Sequence, residues 1–367
     1  MVEKKQNKTL RNGIILIITF LLGMLALYGI FYFFPNVIGT TVTRVERDVT
    51  ITDEGIADAV EKLYDAVVVV NTYTDTGTSS GTGFVYKTED GLAYLLTNNH
   101  VINDANEVYV TFTDGTVVQA DIVGSDVYSD IAVLSVDEEY VISVAEIGSS
   151  EDARLGDTVF AIGAPIDNAF SWSVTRGIVS GKDRLVAVDL TDEGITTPMV
   201  VNTIQTDAAI NNGNSGGPLA NSNGEVIGIT SIKLASETIE GMGFAIPIET
   251  AVDYAEQLIS GEEIERPYLG ISMIDVTDAY YSREYYNIIR EAGVTSGVIV
   301  AGFSEDSPAE QAGIEVGDII TKVDGNDVPS NAYLRYYLYR HSVGEEITLT
   351  VIRYGNERDI SVMLTQN

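Results

Sequence analysis

Cysteine is absent from the 367 residues, and histidine occurs only twice, at His100 and His341. Without cysteine there is no disulfide framework, no thiolate nucleophile and no Cys-rich zinc site. Two histidines cannot build a three-His metal centre, and any essential imidazole is one of two; no metal or other cofactor is expected. Positive charge is scarce as well: 21 Lys and Arg stand against 54 Asp and Glu, a net charge of −33. Neutralising a phosphate backbone requires clustered bases, so nucleic acid is not an expected partner. What the chain does have is length for two or three domains and 45% hydrophobic residues, enough to bury real cores.

The bases that exist are unevenly placed. Lys4, Lys5, Lys8 and Arg11 face only Glu3 in the first twelve residues, and residues 13–34 then carry no charge at all. As a helix, that run spans about 33 Å, against about 30 Å of bilayer hydrocarbon. Positive charge stays inside, which predicts a single-pass anchor in the cell membrane, the N-terminus cytoplasmic and the long remainder extracellular. A cleaved signal peptide would be shorter in its apolar part and end in small residues; here Tyr32, Phe33 and Phe34 end it, with Pro35 next. The acidic excess then lies wholly on the outer side, as a solvated, self-repelling surface.

After a polar stretch the pattern turns to β. Strands are predicted at 67–74, 83–87, 93–97, 107–113, 116–123, 131–136, 158–162, 173–179, 199–205 and 226–232. Asp114-Gly115 and Asn223-Gly224 read as hairpin turns. Many short strands with turns between them point to barrels or a sandwich. A helix at 248–260 closes this region, a charged linker follows at 261–267, and a smaller mixed unit runs from Tyr268 to the end. No repeat of fixed period is present.

Three motifs carry chemistry: Thr97-Asn98-Asn99-His100-Val101-Ile102, Ser129-Asp130-Ile131-Ala132-Val133-Leu134, and Gly213-Asn214-Ser215-Gly216-Gly217-Pro218-Leu219. A serine hydroxyl is a weak nucleophile near neutral pH and needs a base within hydrogen-bond reach. The imidazole base needs a buried carboxylate to fix its tautomer. The developing oxyanion needs preorganised N–H donors, which glycines can present without a Cβ in the way. Singly, each motif reads as a turn or a structural polar residue; together, in the order His, Asp, Ser at strand ends, they read as a catalytic set. Ser215 is the expected nucleophile, His100 the base and then acid, and Asp130 the orienting carboxylate, with the amides of Gly213 and Ser215 as the oxyanion hole. His341, beside Arg340 and far from any nucleophile motif, reads as structural or surface.

TNNHVI, SDIAVL and GNSGGPL resemble the active-site motifs of the HtrA/Deg family of trypsin-like serine proteases. Gly81-Thr82-Gly83-Phe84, Ile162-Gly163-Ala164-Pro165, residues 175–180, 205–211 and 243–247 agree. Asn212 stands where many relatives have proline, which loosens φ in the oxyanion loop but removes no catalytic group. Tyr268-Leu269-Gly270-Ile271 is similar to the carboxylate-binding loop of a PDZ domain, and 307–314 with 316–320 to its helix and following strand. Such a loop offers N–H groups to a peptide's C-terminal carboxylate while the peptide adds as a strand. A Tyr- and charge-rich insertion, 278–293, departs from the minimal pattern and is placed at the groove entrance.

The resemblance implies a mainly β fold: a chymotrypsin-like double β-barrel at 58–260 and an α+β PDZ domain at 268–367. These follow a basic tail at 1–12, a transmembrane helix at 13–34 and linkers at 35–57 and 261–267. It implies an ATP-independent endopeptidase acting on unfolded or damaged proteins outside the cytoplasm, assembled as a homotrimer and able to bind C-terminal peptides. Its substrate pocket is expected at Ile210 and at Thr230, Ser231, Ile232 and Lys233. The apolar wall suits a small or medium aliphatic side chain, and two readings of Lys233 stay open: its stem covers apolar surface while its amine reaches water, or its charge admits an acidic side chain. Loops at 182–200 and 233–241 are expected to flank the site and to lend themselves to switching by a peptide. Two other classes fit the same residues: a signalling protease with one membrane-protein substrate, and a peptide-binding scaffold or chaperone with a latent triad.

Overall fold

The structure, a computed structural model, describes residues 3–33, 53–164, 171–192, 195–231, 241–261 and 264–366. The chain forms two compact units, Met1–Ile51 and Thr52–Asn367. In the first, α1 (Glu3–Phe33) is a single 31-residue helix with exposed apolar side chains such as Leu16, Leu25 and Phe33. Among the described residues no helix is long and apolar enough to cross a membrane. The expectation for 13–34 therefore gains a helix from the structure but not a span.

The second unit opens with α2 (Asp53–Tyr64), whose Ala59 and Leu63 are buried. The boundary expected at 57/58 thus falls inside a helix: Ile56, Ala59, Val60 and Leu63 recur at helical spacing and pack on the core. The first closed barrel follows. It comprises β1 (Val67–Thr74), β2 (Gly77–Glu89), β3 (Leu92–Thr97), β4 (Glu107–Thr111), β5 (Val117–Asp126) and β6 (Ile131–Asp137), in the order β1-β2-β3-β6-β5-β4. The four-residue helix α3 (Asn99–Ile102) leaves the end of β3.

The second closed barrel holds β7 (Thr158–Gly163), β8 (Ser173–Asp192), β9 (Ile195–Thr206), β10 (Pro218–Asn221), β11 (Val226–Thr230) and β12 (Gly243–Pro247), in the order β10-β11-β12-β9-β8-β7. The double barrel is the architecture that the motifs implied. β6 shows how it is held. Ile131 and Val133 enter the larger core that includes Phe160 and Ile246 of the second barrel. Ala132, Leu134 and Val136 fill the first barrel with Leu95 and Phe112. A strand with both faces buried needs the unbroken apolar run that this segment has. Helix α4 (Ile248–Ser260) lays Ile248, Ala251 and Ala255 on the larger core and ends at Gly261 with φ +72°.

The 182–200 segment departs from the expected flanking loop. β8 and β9 continue as one antiparallel ribbon with pairing from Arg184↔Thr203 to Asp192↔Ile195. Alternate residues Val186 and Val188, facing Met199 and Val201, turn one side of the ribbon toward the core. Most of the other expected loop, 233–241, lies outside the described residues.

The C-terminal sheet runs β14 (Ile271–Asp275), β15 (Val298–Phe303), β16 (Ile319–Val323), β18 (Glu346–Arg353) and β19 (Asn356–Met363), with β17 (Asn326–Asp327) paired to β16. A separate pair joins β13 (Pro267–Tyr268) to β20 (Thr365–Gln366). Helices α7 (Pro308–Gln311) and α8 (Asn331–Leu338) accompany the sheet. Ser307 caps α7 by accepting from the Glu310 amide at 3.2 Å. The 278–293 insertion forms the second half of α5 (Val276–Ala279) and all of α6 (Tyr286–Ala292). Ile289 packs with Val276, Ile299 and Ile319 in a small core of its own.

Candidate active site

His100, Asp130 and Ser215 lie at three separate strand ends. His100 lies in α3 just beyond β3, Asp130 just before β6, and Ser215 in the turn that leads into β10. Asp130 has φ +56°, a left-handed conformation that aspartate tolerates better than most side chains. That conformation lets one residue serve three neighbours. Its main-chain carbonyl accepts from the Asn99 amide at 3.1 Å and from Asn98 Nδ2 at 2.9 Å. Its carboxylate accepts from the His100 amide at 3.1 Å and lies 2.9 and 2.8 Å from His100 Nδ1 through its two oxygens. The carboxyl side chain is 6% exposed and the imidazole 16%. A buried carboxylate across Nδ1 holds the proton on that nitrogen and leaves Nε2 as the acceptor.

The turn that carries Ser215 is fixed by its own set of bonds. Gly213 has φ +100° and Gly216 φ +83°. A Cβ on Gly216 would stand 2.2 Å from Thr82 O and 2.3 Å from Thr97 Oγ1, so only glycine fits. The Gly216 amide donates to Thr230 O and the Thr230 amide to Gly217 O, both at 2.9 Å. Ser215 is 4% exposed.

Thr230 and Ser231, given to the substrate pocket by sequence reasoning, have their hydroxyls engaged elsewhere. Thr230 Oγ1 donates to Asn214 O at 2.6 Å and also lies 3.1 Å from Gly217 O. Ser231 Oγ donates to Asp130 Oδ2 at 3.0 Å. These two hydroxyls therefore brace the turn that carries Ser215 and the Asp130 carboxylate. Ile210 is half-buried and packs so closely on Gly243 that a Cβ there would come within 2.6 Å of its Cγ1. Ile232 and Lys233 lie outside the described residues. His341 is far in role from this cluster: its Nδ1 is 2.8 Å from Glu345 Oε1 and its Nε2 3.2 Å from Asp324 Oδ2. Among the described residues no group of three metal-ligating side chains is found.

The residues Tyr268, Leu269, Gly270 and Ile271 run from β13 into β14. Leu269 O accepts from Ser307 Oγ at 3.0 Å and from the Ala309 amide at 3.2 Å, and Gly270 has φ +69°. A cleft of about 480 Å³ opens there, with Arg266, Tyr268, Ile271, Met273, Arg335 and Leu338 on its walls. The lining includes no residue of the 278–293 insertion, which sits instead on the small core around Ile289.

One end of this cleft touches the barrels. Arg266 Nη2 donates to Asp126 Oδ1, and its guanidinium stacks over the Tyr128 ring, 4.4 Å from the centroid, and near the Tyr339 ring at 5.6 Å. Asp126 Oδ2 accepts from the Ser129 amide at 2.7 Å, one residue before Asp130. Arg335 Nη1 donates to Pro198 O of the β8–β9 ribbon at 3.2 Å.

Residues 81–229 match the trypsin-like peptidase domain family, and residues 267–364 match the PDZ domain family. The chain is 38% identical over 334 residues to the serine protease Do-like HtrA of Bacillus subtilis, covering 90% of this chain and 71% of that protein. It is 35% identical over 358 residues to the protein of the same description from Lactococcus lactis subsp. cremoris, covering 89% and 87%. Among solved structures, the serine endoprotease from Yersinia pestis superposes with a TM-score of 0.62 at 33% identity, over 85% of this chain and 98% of that one. The HtrA-type protease AlgW with a decapeptide gives 0.65 at 29% identity, over 85% and 98%. A trypsin-like domain followed by a PDZ domain, with relatives of this similarity that are serine proteases over nearly the whole chain, shows that this chain is a serine endopeptidase of the HtrA/Deg family.

Proposed function

We propose that the chain cleaves unfolded or damaged proteins at the outer face of the cytoplasmic membrane, with Ser215, His100 and Asp130 as its catalytic triad. The observation that carries the triad is the imidazole of His100 set across both oxygens of the buried Asp130 carboxylate, which Ser231 ties to the segment that also holds the Ser215 turn through Thr230. In this reading Ser215 Oγ adds to the scissile carbonyl carbon while its proton passes to His100 Nε2. The carbonyl π electrons move to oxygen, which takes up the amides of Gly213 and Ser215. Collapse breaks the C–N bond, and the His100 proton leaves with the amine. Water then repeats the sequence on the acyl-enzyme and releases the acid. Hydrolysis of an unfolded protein such as casein, lost in Ser215→Ala, tests the assignment; turnover by Ser215→Ala at the wild-type rate would overturn it.

The membrane part rests on the uncharged run 13–34 and the bases before it. Protease added to intact cells should cut near Val200 or Asp278 and spare Lys4 and Lys8. The cleft at Tyr268–Ile271 supports binding of a peptide C-terminus, and its contacts with Asp126 and Pro198 support a link from that peptide to the protease. Deleting 261–367 would also remove Arg266 from Asp126, so the test keeps the chain whole. A peptide with an apolar C-terminus should raise hydrolysis of a small chromogenic substrate, and Met273→Glu should abolish that rise. A single cleaved membrane protein, with no digestion of casein, would favour the signalling reading. A homotrimer is the assembly expected of the family, and a mass of three copies in solution tests it.

A further inference from the structure

Thr82, in the middle of β2 between Gly81 and Gly83, is fully buried, and each of its polar groups is bonded to an active-site segment. Its amide donates to Ser215 O at 2.9 Å. Its Oγ1 donates to Gly213 O at 2.6 Å and accepts from the Ala164 amide at 3.0 Å. Its own carbonyl accepts from Thr97 Oγ1 at 2.7 Å, three positions before His100. One residue of the first barrel thus grips the nucleophile turn of the second at two carbonyls, one on each side of Asn214: Gly213 O by its hydroxyl and Ser215 O by its amide.

The consequence lies in the peptide units between those grips. The Asn214 amide donates to Asn211 O at 3.0 Å, and Asn214 O accepts from Thr230 Oγ1 and the Gly217 amide. With Gly213 O and Ser215 O also held, the peptide planes on both sides of Asn214 are fixed, and the Ser215 amide with them. The remaining N–H of the oxyanion pair belongs to Gly213, which has φ +100° and follows Asn212 rather than a φ-locking proline. Its direction depends on how firmly the next peptide plane is anchored. The shortest bond to that plane is the one from Thr82 Oγ1 to Gly213 O; the others, from the Asn214 amide to Asn211 O and from the Ala164 amide to Gly213 O, are 3.0 and 3.3 Å long.

We propose that Thr82 is a positioning residue for the oxyanion hole: its hydroxyl, donated to Gly213 O, aims the Gly213 amide at the oxygen on which negative charge develops. It touches no substrate atom and acts through Gly213 alone. The inference rests on the reading of Gly213 and Ser215 as the oxyanion donors.

The test compares Thr82→Val, which keeps the shape and removes the donor, with Thr82→Ser, which keeps the donor and removes a methyl. Two quantities are read in the full-length protein: kcat and KM on a chromogenic peptide, and Ki for a peptide aldehyde, whose hemiacetal on Ser215 carries the oxyanion. Thr82→Val should lower kcat about 10- to 100-fold, less than removal of a donor itself, and weaken the aldehyde by a similar factor with KM little changed. Thr82→Ser should restore both to within about threefold of wild type. Should Thr82→Val fail to fold, Thr82→Ala against Thr82→Ser gives the same comparison. Wild-type kcat and Ki in the hydroxyl-free variant would overturn the proposal. So would a kcat loss with unchanged aldehyde Ki, or an equal loss in Thr82→Ser, which would assign the effect to barrel packing. Failure of the aldehyde on the wild type would instead remove the oxyanion reading of Gly213 and Ser215, and the proposal with it.

Discussion

Ser231 Oγ donates to Asp130 Oδ2 at 3.0 Å, joining residues 101 positions apart and lying on different barrels. The carboxylate that faces His100 is therefore oriented from behind by the second barrel. Ser231→Ala should leave the fold intact and lower kcat by about 10- to 100-fold, the scale of one hydrogen bond to a charged group. Asp130→Asn should lower it by on the order of 10³- to 10⁴-fold, because the amide cannot hold the same tautomer. Steady-state rates on one peptide substrate rank the two; equal losses would mean that Ser231 does more than orient.

Ser215→Ala and His100→Ala should each abolish measurable peptide hydrolysis, and the double variant should be barely slower than either. Groups that act as one unit are non-additive. Single-turnover rates on an activated ester measure the three together.

Gly216→Ala should be inactive and destabilised by about 3 kcal/mol or more, since the added Cβ meets Thr82 O and Thr97 Oγ1 while φ stays positive. Urea titration with activity measured in parallel checks this. Gly115→Ala, at a φ of +87° with open space around it, isolates the conformational part of the cost.

Asp318 is fully buried and is held by Arg353, whose Nε and Nη2 both reach its carboxylate. Arg353→Met should destabilise the C-terminal sheet by about 3–5 kcal/mol, because it leaves a buried charge unpaired. Hydrogen exchange on β16 and β18 reads the loss locally.

Burial pushes the Glu249 carboxyl up, but the Ser150 hydroxyl and amide, donating at 2.5 and 2.7 Å, more than offset it and leave it below the usual glutamate value. A carboxyl depressed in the folded state adds stability above its unfolded value of about 4.3, and that stability fades as pH falls through the folded value. Ser150→Ala should therefore lower Tm by about 1–3 °C at pH 7, with the gap closing below about pH 4. Thermal melts at both pH values decide it.

The legible part of this molecule was local. The His100, Asp130 and Ser215 motifs each sit in a short window, and the unbroken apolar run of β6 reads directly as a strand buried on both faces. Residues 182–200 looked polar because the stretch mixes Asp and Thr with Val and Leu. Only the pairing of Val186 and Val188 with Val201 and Met199 shows the alternation to be a ribbon. β10 and β12 went unpredicted, since Pro218 and Gly243 at their starts are ordinary turn signals. The Ser231–Asp130 bond and the four bonds of Thr82 connect distant segments, so no window of sequence contains them. The one available signal was that Thr82 lies between two glycines in a motif that also agreed with the family.

Arg266 closes the account of how the two folded halves meet. It belongs by sequence to the start of the C-terminal unit, yet its guanidinium is lodged between Tyr128 and Tyr339 and bonded to Asp126. Anyone exchanging the PDZ unit for that of another protein would carry the graft point with it. A donor unit without an arginine at 266 and an aromatic ring at 339 would leave Asp126, 6% exposed, without its counter-charge at the root of the turn that ends in Asp130. Such a chimaera would be impaired before any peptide is added. Transplants that retain Arg266 and Tyr339 on the recipient side are the ones whose peptide preference can be read cleanly.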